Sequence, residues 1–205
     1  MSNSANYFGL RPIKHINGSA WNGVTEKCFV GATYAPLLYI GDPVTITATA
    51  ADADTTALYT SVLLAEFGAG NEIYGVITSI DDSEDMNNQY VKKPASTEAY
   101  INVCIDPTVV YHIRDDAGST PDCSWPGLNA DIIQAAAGSA ITGLSGVGLS
   151  GASHNVTQNL QLHILRMANL PDNTLEDYAI WEVMINTHQL LNGGIAGNVL
   201  GIART

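Results

Sequence analysis

Positive charge is scarce in this sequence. Its 205 residues carry 8 Lys and Arg against 20 Asp and Glu, a formal net charge of −12 at pH 7. Nucleic-acid backbones are gripped by Lys and Arg, and no basic run occurs, so direct nucleic-acid binding is not expected. The adjacent Lys92 and Lys93 read as a solvated turn. No stretch of about 18 apolar residues is present, which argues against a helical membrane span. The opening MSNSANYFGLRPIKH lacks the apolar core of a secretory signal. Cysteine is also sparse: Cys28, Cys104 and Cys123 are odd in number and form no C-x-x-C pair. Free thiols in a reducing cytoplasm are therefore expected rather than a disulfide framework. Without a secretion signal, the sequons at Asn17-Gly-Ser19 and Asn155-Val-Thr157 read as chance matches.

Charge of either sign is low as well. Charged residues make up 14%, against about 25% in a typical soluble domain. Gly, Ala, Ser, Thr and Asn fill the gap. A surface of small neutral residues is easily desolvated, which suits close packing against further copies or a partner shell. It equally suits a β-rich domain with many turns.

What is present reads as strands. In VTIT, Val44 and Ile46 alternate with Thr45 and Thr47 behind a Gly-Asp-Pro turn. EIYGVITSI (72–80) is β-branched, with Gly75 placed as at a bulge or a close backbone contact. AYINVCI (99–105) leads through Asp106-Pro107 into VVYHIRDD. There Val109, Tyr111 and Ile113 share one face, and Val110, His112 and Arg114 the other. NLQLHILRM puts Leu160, Leu162 and Ile164 on one face. YAIWEVMINTH does the same for Ala179, Trp181, Val183 and Ile185, with Glu182, Asn186 and His188 opposite. A short helix is predicted over LNADIIQAAA (128–137), capped by Asn129 and stopped by Gly138. The fold class expected is mainly β: an antiparallel barrel or sandwich with one or two short helices. Residues 1–36 read as an irregular N-terminal arm, 37–190 as the β domain with a small-residue loop at 138–155, and 191–205 as a Gly-rich C-terminal tail.

Candidate chemistry is weak. Gly146-Val-Gly148-Leu-Ser-Gly151 has the G-x-G-x-x-G spacing of a dinucleotide turn. That chemistry needs a helix opening at the third glycine, so that its N-terminus meets the pyrophosphate. ASHNVTQNL follows instead, β-branched and polar, so the glycines read as a loop that allows close backbone approach. The acidic run Asp81, Asp82, Ser83, Glu84, Asp85 lacks the ligand alternation and turn glycine of an EF-hand. It reads as a solvated loop. His15, His112, His154, His163 and His188 are scattered. His163 and His188 could be neighbours, but two histidines do not make a zinc site. Ser145 has no acid–base partners in view, and no G-x-S-x-G elbow exists. No enzyme, metal or cofactor is expected.

In order, the segments NYFGLRPIKHINGSAWNG, YIGDPVTI, YGVITSI, KPASTEAYINVCIDPTVVYHIRDD, GLNADIIQAAAGSAITGLSG, NLQLHILRMANLPDN and AIWEVMINTHQL resemble the capsid decoration, or head cement, proteins of tailed bacteriophages. The resemblance spans about residues 6–197 and rests on structural motifs: the GL-P…WNG arm, the GDPV turn, the PAST segment, the TGLSG loop and the WEV-IN-H ending. It implies a non-enzymatic virion protein, made in the host cytoplasm, bound to the major capsid protein on the outside of the head, usually as a homotrimer. Tyr7, Phe8 and Trp21 in the arm, and Gly143, Gly146, Gly148 and Gly151 in the 138–152 loop, are the candidate interface residues. Two alternatives stand beside it: another phage structural subunit, such as a minor capsid or tail component, and a carbohydrate-binding β-domain using Trp125 and the 81–85 loop.

Overall fold

The computed structural model describes residues 3–47, 53–81 and 92–191. The chain is mainly β. Its strands are β1 (Arg11–His15), β2 (Glu26–Val30), β3 (Pro43–Ile46), β4 (Thr60–Leu64), β5 (Gly75–Asp81), β6 (Ala99–Cys104) and β7 (Val109–Arg114). They continue with β8 (Asn129–Ala130), β9 (Ile132–Gln134), β10 (Val147–Leu149), β11 (Leu162–Met167) and β12 (Ile180–Ile185). A single 3₁₀ turn at Gly151–Ser153 is the helical content of the described residues.

Two β bodies result. β2, β4, β3, β5 and β6 close into a barrel, and β1, β7, β12, β11 and β8 form an open antiparallel sheet. The barrel is antiparallel except where β2 runs parallel to β4, pairing Cys28 with Thr60 and Phe29 with Ser61. Its interior holds Cys28, Val30, Val44, Val62, Ile77, Ile101 and Val103. The second core lies under the open sheet. It draws Tyr111, Trp181, Val183 and Ile164 from the sheet, Ile132 and Leu149 from the β9–β10 pair, and Ala65, Ile73, Val76 and Cys104 from the barrel side. The two bodies therefore share buried surface. β6 and β7 are consecutive but belong to different bodies. The Asp106 turn between them, with Thr108 N–H donating to Asp106 Oδ1 at 2.7 Å, carries the chain from barrel to sheet.

The alternating patterns hold. Val109, Tyr111 and Ile113 face the core, as do Trp181, Val183 and Ile185. Gly75 marks a close backbone contact, since a Cβ there would meet the Cys104 carbonyl oxygen at 2.5 Å. Ile46, paired with Val62 at a strand end, is 41% exposed and leaves the pattern.

Several expectations are corrected. The helix over 128–137 does not form. Residues 129–130 pair with β11, and 132–134 pair with 147–149. Helix propensity is worth tenths of a kcal/mol per residue, and partner strands outweigh it. The arm at 1–36 contains β1, an integral strand of the sheet, and β2, an integral strand of the barrel. Lys93 is not a solvated turn residue. It is fully buried, its ammonium donating to the Tyr34 carbonyl at 3.1 Å and the Pro94 carbonyl at 3.0 Å. Asp82–Asp85 and the tail beyond Leu191 lie outside the described residues.

Candidate interaction surfaces

The N-terminal segment is held by its own chain. Asn3 Nδ2 donates to the carbonyls of Thr174, Glu176 and Asp177 at 2.9–3.2 Å. Tyr7 meets Tyr178 edge-on at 6.5 Å. Burial pushes the Tyr7 hydroxyl up to about 12, with Tyr178 and Asp116 acting in the same direction. The Phe8 ring lies 5.0 Å from the Arg11 guanidinium and 5.9 Å from that of Arg114.

Further along, three distant stretches cross. Leu10 N–H donates to the Gly41 carbonyl at 2.9 Å. Ile40 N–H donates to Gly143, and Ser145 N–H returns the bond to Ile40. Gly9 and Gly41 both have positive φ, and a Cβ on Gly9 would run into the Gly41 carbonyl oxygen and the Ser145 side chain. Asp42 is buried here, accepting from Tyr39 N–H at 2.8 Å and from the Ser145 side chain. Burial raises its carboxyl to about 6 despite those bonds.

Of the candidate interface residues, Tyr7, Phe8 and Trp21 are half-buried, whereas Gly143, Gly146, Gly148 and Gly151 are buried. Phe8 and Trp21 come together. With Arg11, Ile40, Ile77 and Leu144 they line a groove of about 240 Å³ between sheet and barrel. Tyr7 and Gly146 line another, of about 320 Å³, with Asn6, Ala136 and Ser145. The glycines are accounted for within the chain. A Cβ on Gly146 would collide with the Ala136 carbonyl oxygen. Gly148 is a β10 residue paired with Ile133 of β9. The G-x-G-x-x-G stretch thus runs through a strand into a 3₁₀ turn of three residues, not into a helix that could receive a phosphate.

Trp125, taken above as a surface stacking residue, is fully buried. It stacks on Trp181 at 5.2 Å and on His154 at 4.7 Å. Its neighbours Pro121, Asp122, Cys123 and Ser124 are turn-like, so the sequence offered no periodicity that would have marked it as core. Trp181 Nε1–H reaches Asp115 Oδ2 at 3.4 Å, and Asp115 also accepts from Tyr178 and Ala117 N–H. Burial still lifts the Asp115 carboxyl above its usual range.

Two of the histidines, His15 and His188, lie near one carboxylate, Asp106, with His15 Nδ1 3.2 Å from Asp106 Oδ2. His163 Nδ1 sits 2.7 Å from Asn129 Oδ1. His188 is buried beside Ile73, its Nδ1 accepting from Leu190 N–H at 3.2 Å and the Ile105 backbone facing its ring. Burial pushes this imidazole down to about 4. No group of three or more potential metal ligands occurs among the described residues. Cys28 and Cys104 are buried, with Cys28 pushed up to about 12 by desolvation, and Cys123 is exposed.

One charged cluster spans the open sheet. Glu182 on β12 receives Lys14 Nζ from β1 at 2.7 Å and Arg166 Nε from β11 at 2.9 Å, with His112 Nε2 of β7 at 4.0 Å. Burial opposes the Glu182 charge, but the hydrogen bonds from Arg166 and Lys14 outweigh it and hold the carboxyl below its ordinary value. No sequence pattern pointed to this set, because its members come from four strands.

The chain matches no family model, no curated protein and no solved structure.

Proposed function

We propose that this chain is a structural virion protein that binds the outside of a tailed-phage capsid and stabilises it, working as a homotrimer and catalysing no reaction. The reading rests on the resemblance, and one observation supports it. The GL of the arm, the GDPV turn and the TGLSG loop are far apart in sequence, yet Gly9–Leu10, Gly41–Asp42 and Gly143–Ser145 meet at a single crossing. The motifs that carry the likeness are thus architectural, as befits a protein whose product is a shape. A cement protein gains affinity by touching several shell subunits at once, so many weak contacts suffice. The half-buried Phe8 and Trp21 groove is a surface of the right kind, since aromatic anchors dominate such contacts. The carbohydrate alternative has lost its stacking residue, because Trp125 is enclosed.

The test is the mass of the purified chain in solution, followed by co-sedimentation with heads that lack it. Saturable binding to the heads, with raised resistance of the shell to heat, is expected. A chain that stays in the supernatant at every head concentration would refute the proposal.

A further inference from the structure

The outward face of the open sheet is basic on a protein that is otherwise acidic. The register places Arg11 of β1 opposite His112 of β7, Glu182 of β12 opposite His112, and Arg166 of β11 opposite Glu182. Tyr111, Trp181, Val183 and Ile164 point into the core, so these residues, with Lys14, point away from it. Arg114, at the end of β7, lies on the same side and is fixed by the carbonyls of Asn6 at 3.0 Å and Tyr178 at 2.6 Å. Four of the chain's 8 Lys and Arg (Arg11, Lys14, Arg114 and Arg166) therefore share one face with His112, and its central carboxylate is Glu182. Glu182 is spent on Lys14 and Arg166. Among the described residues, no carboxylate forms an ion pair with Arg11 or Arg114, and Arg11 is exposed.

The complement of this face is on the same molecule. Among the described residues, the 26–106 stretch that supplies all five barrel strands contributes 8 Asp and Glu, of which Asp42 is buried, against 3 Lys and no Arg. Glu66 and Glu98 are exposed there. We infer that the outward face of the open sheet receives the acidic barrel of a second copy of this chain, in a head-to-tail contact. The inference rests on the reading above that the chain assembles with itself, and adds which surfaces meet. An isologous contact through this face would set its cations against the same set on the second copy, and like charges repel. Two different, complementary surfaces make a heterologous contact, which closes into a ring when the rotation permits.

The experiment is sedimentation velocity across a concentration series at about 0.15 M salt, where charges more than about 8 Å apart are screened and local contacts decide. Arg11→Glu and Lys27→Glu change the net charge equally, one on the sheet face and one on the barrel. Arg11→Glu is expected to weaken self-association about tenfold or more, and Lys27→Glu to leave it unchanged or strengthen it. The gap between the two should narrow as salt rises. Arg166→Gln is the second face variant, expected to weaken association by a smaller factor, and circular dichroism checks that each variant is folded. Equal weakening by Arg11→Glu and Lys27→Glu would reduce the effect to overall repulsion and overturn the inference. Association of folded Arg11→Glu as tight as the unsubstituted chain's, or an unsubstituted chain that remains a 21.7 kDa monomer, would also overturn it. Co-sedimentation of the same samples with heads judges the capsid reading separately, since a monomer can still bind a shell.

Discussion

The barrel and the open sheet are built from the same alternating strands but solve different problems. The barrel closes on itself, and its core is mostly a ring of medium aliphatic side chains, with Cys28 and one aromatic, Tyr74, among them. Closure also leaves its strands no free edges. The open sheet has one face to bury and meets that need with larger pieces: Tyr111, Trp181, the stacked Trp125, and the β9–β10 pair laid beneath. Its other face stays partly wet and carries the Lys14–Glu182–Arg166 cluster. The barrel gathers its strands from one stretch, Glu26–Cys104, whereas the open sheet gathers its own from both sides of that stretch, Arg11–His15 and Val109–Ile185.

That contrast is most sharply tested in the sheet core. Trp125→Ala removes a fully enclosed indole and is expected to cost about 3–5 kcal/mol. Since Ala65, Ile73, Val76 and Cys104 belong to that core, the barrel should unfold with the sheet in one transition. Tryptophan fluorescence follows the sheet side, and thiol labelling of buried Cys28 follows the barrel. Midpoints that separate in denaturant would show two independent units instead.

The crossing between the bodies comes next. Gly9→Ala adds a Cβ where the Gly41 carbonyl and Ser145 already lie, at a positive φ. A loss of about 3 kcal/mol is expected from chemical denaturation. Stability unchanged by this substitution would remove the crossing as the joint.

A third test separates two buried groups by pH. Asp42 is raised to about 6, so its cost is absent below its ordinary value of 3.8 and grows as pH rises toward 6. His188 is lowered to about 4, so its cost is absent above its ordinary 6.5 and grows as pH falls toward 4. Each amounts to about 3 kcal/mol at full extent. Between pH 4 and 6 they oppose one another. Asp42→Asn should make stability fall more steeply with acid across that window, and His188→Gln should make it fall less steeply or rise. Parallel profiles for both variants and the parent would contradict the assignment.

The smallest effect belongs to the barrel surface. Lys27 and Asp81 form an ion pair at 3.0 Å with both side chains about two-fifths exposed. Lys27→Ala should cost less than about 1 kcal/mol, and less again at high salt. A larger loss would mean that its contacts with the Tyr59 and Tyr100 rings matter more than its charge.

Much of the fold was legible because side-chain direction alternates along any strand. The burial of Val109, Tyr111 and Ile113, and of Trp181, Val183 and Ile185, needed nothing beyond that periodicity. The candidate surface was legible only in part. Phe8 and Trp21 share a groove, while Gly143 accepts from Ile40 N–H and Gly146, Gly148 and Gly151 pack against the backbone of Ala136, Arg114 and Ser119. The basic face escaped notice because its cations lie at positions 11, 14, 114 and 166, with no local run to mark them.

The mainly-β class, the inward face of each long strand and the turn at Asp106-Pro107 follow from local stereochemistry and so are written in the residues themselves. Tertiary structure alone decided that β6 and β7 part into different bodies. It also decided that 128–137 pairs as strands, that Lys93 and Trp125 lie inside, and that four scattered cations meet on one face. Those outcomes depend on contacts between residues far apart in the chain, whose energies exceed the local preferences a sequence displays.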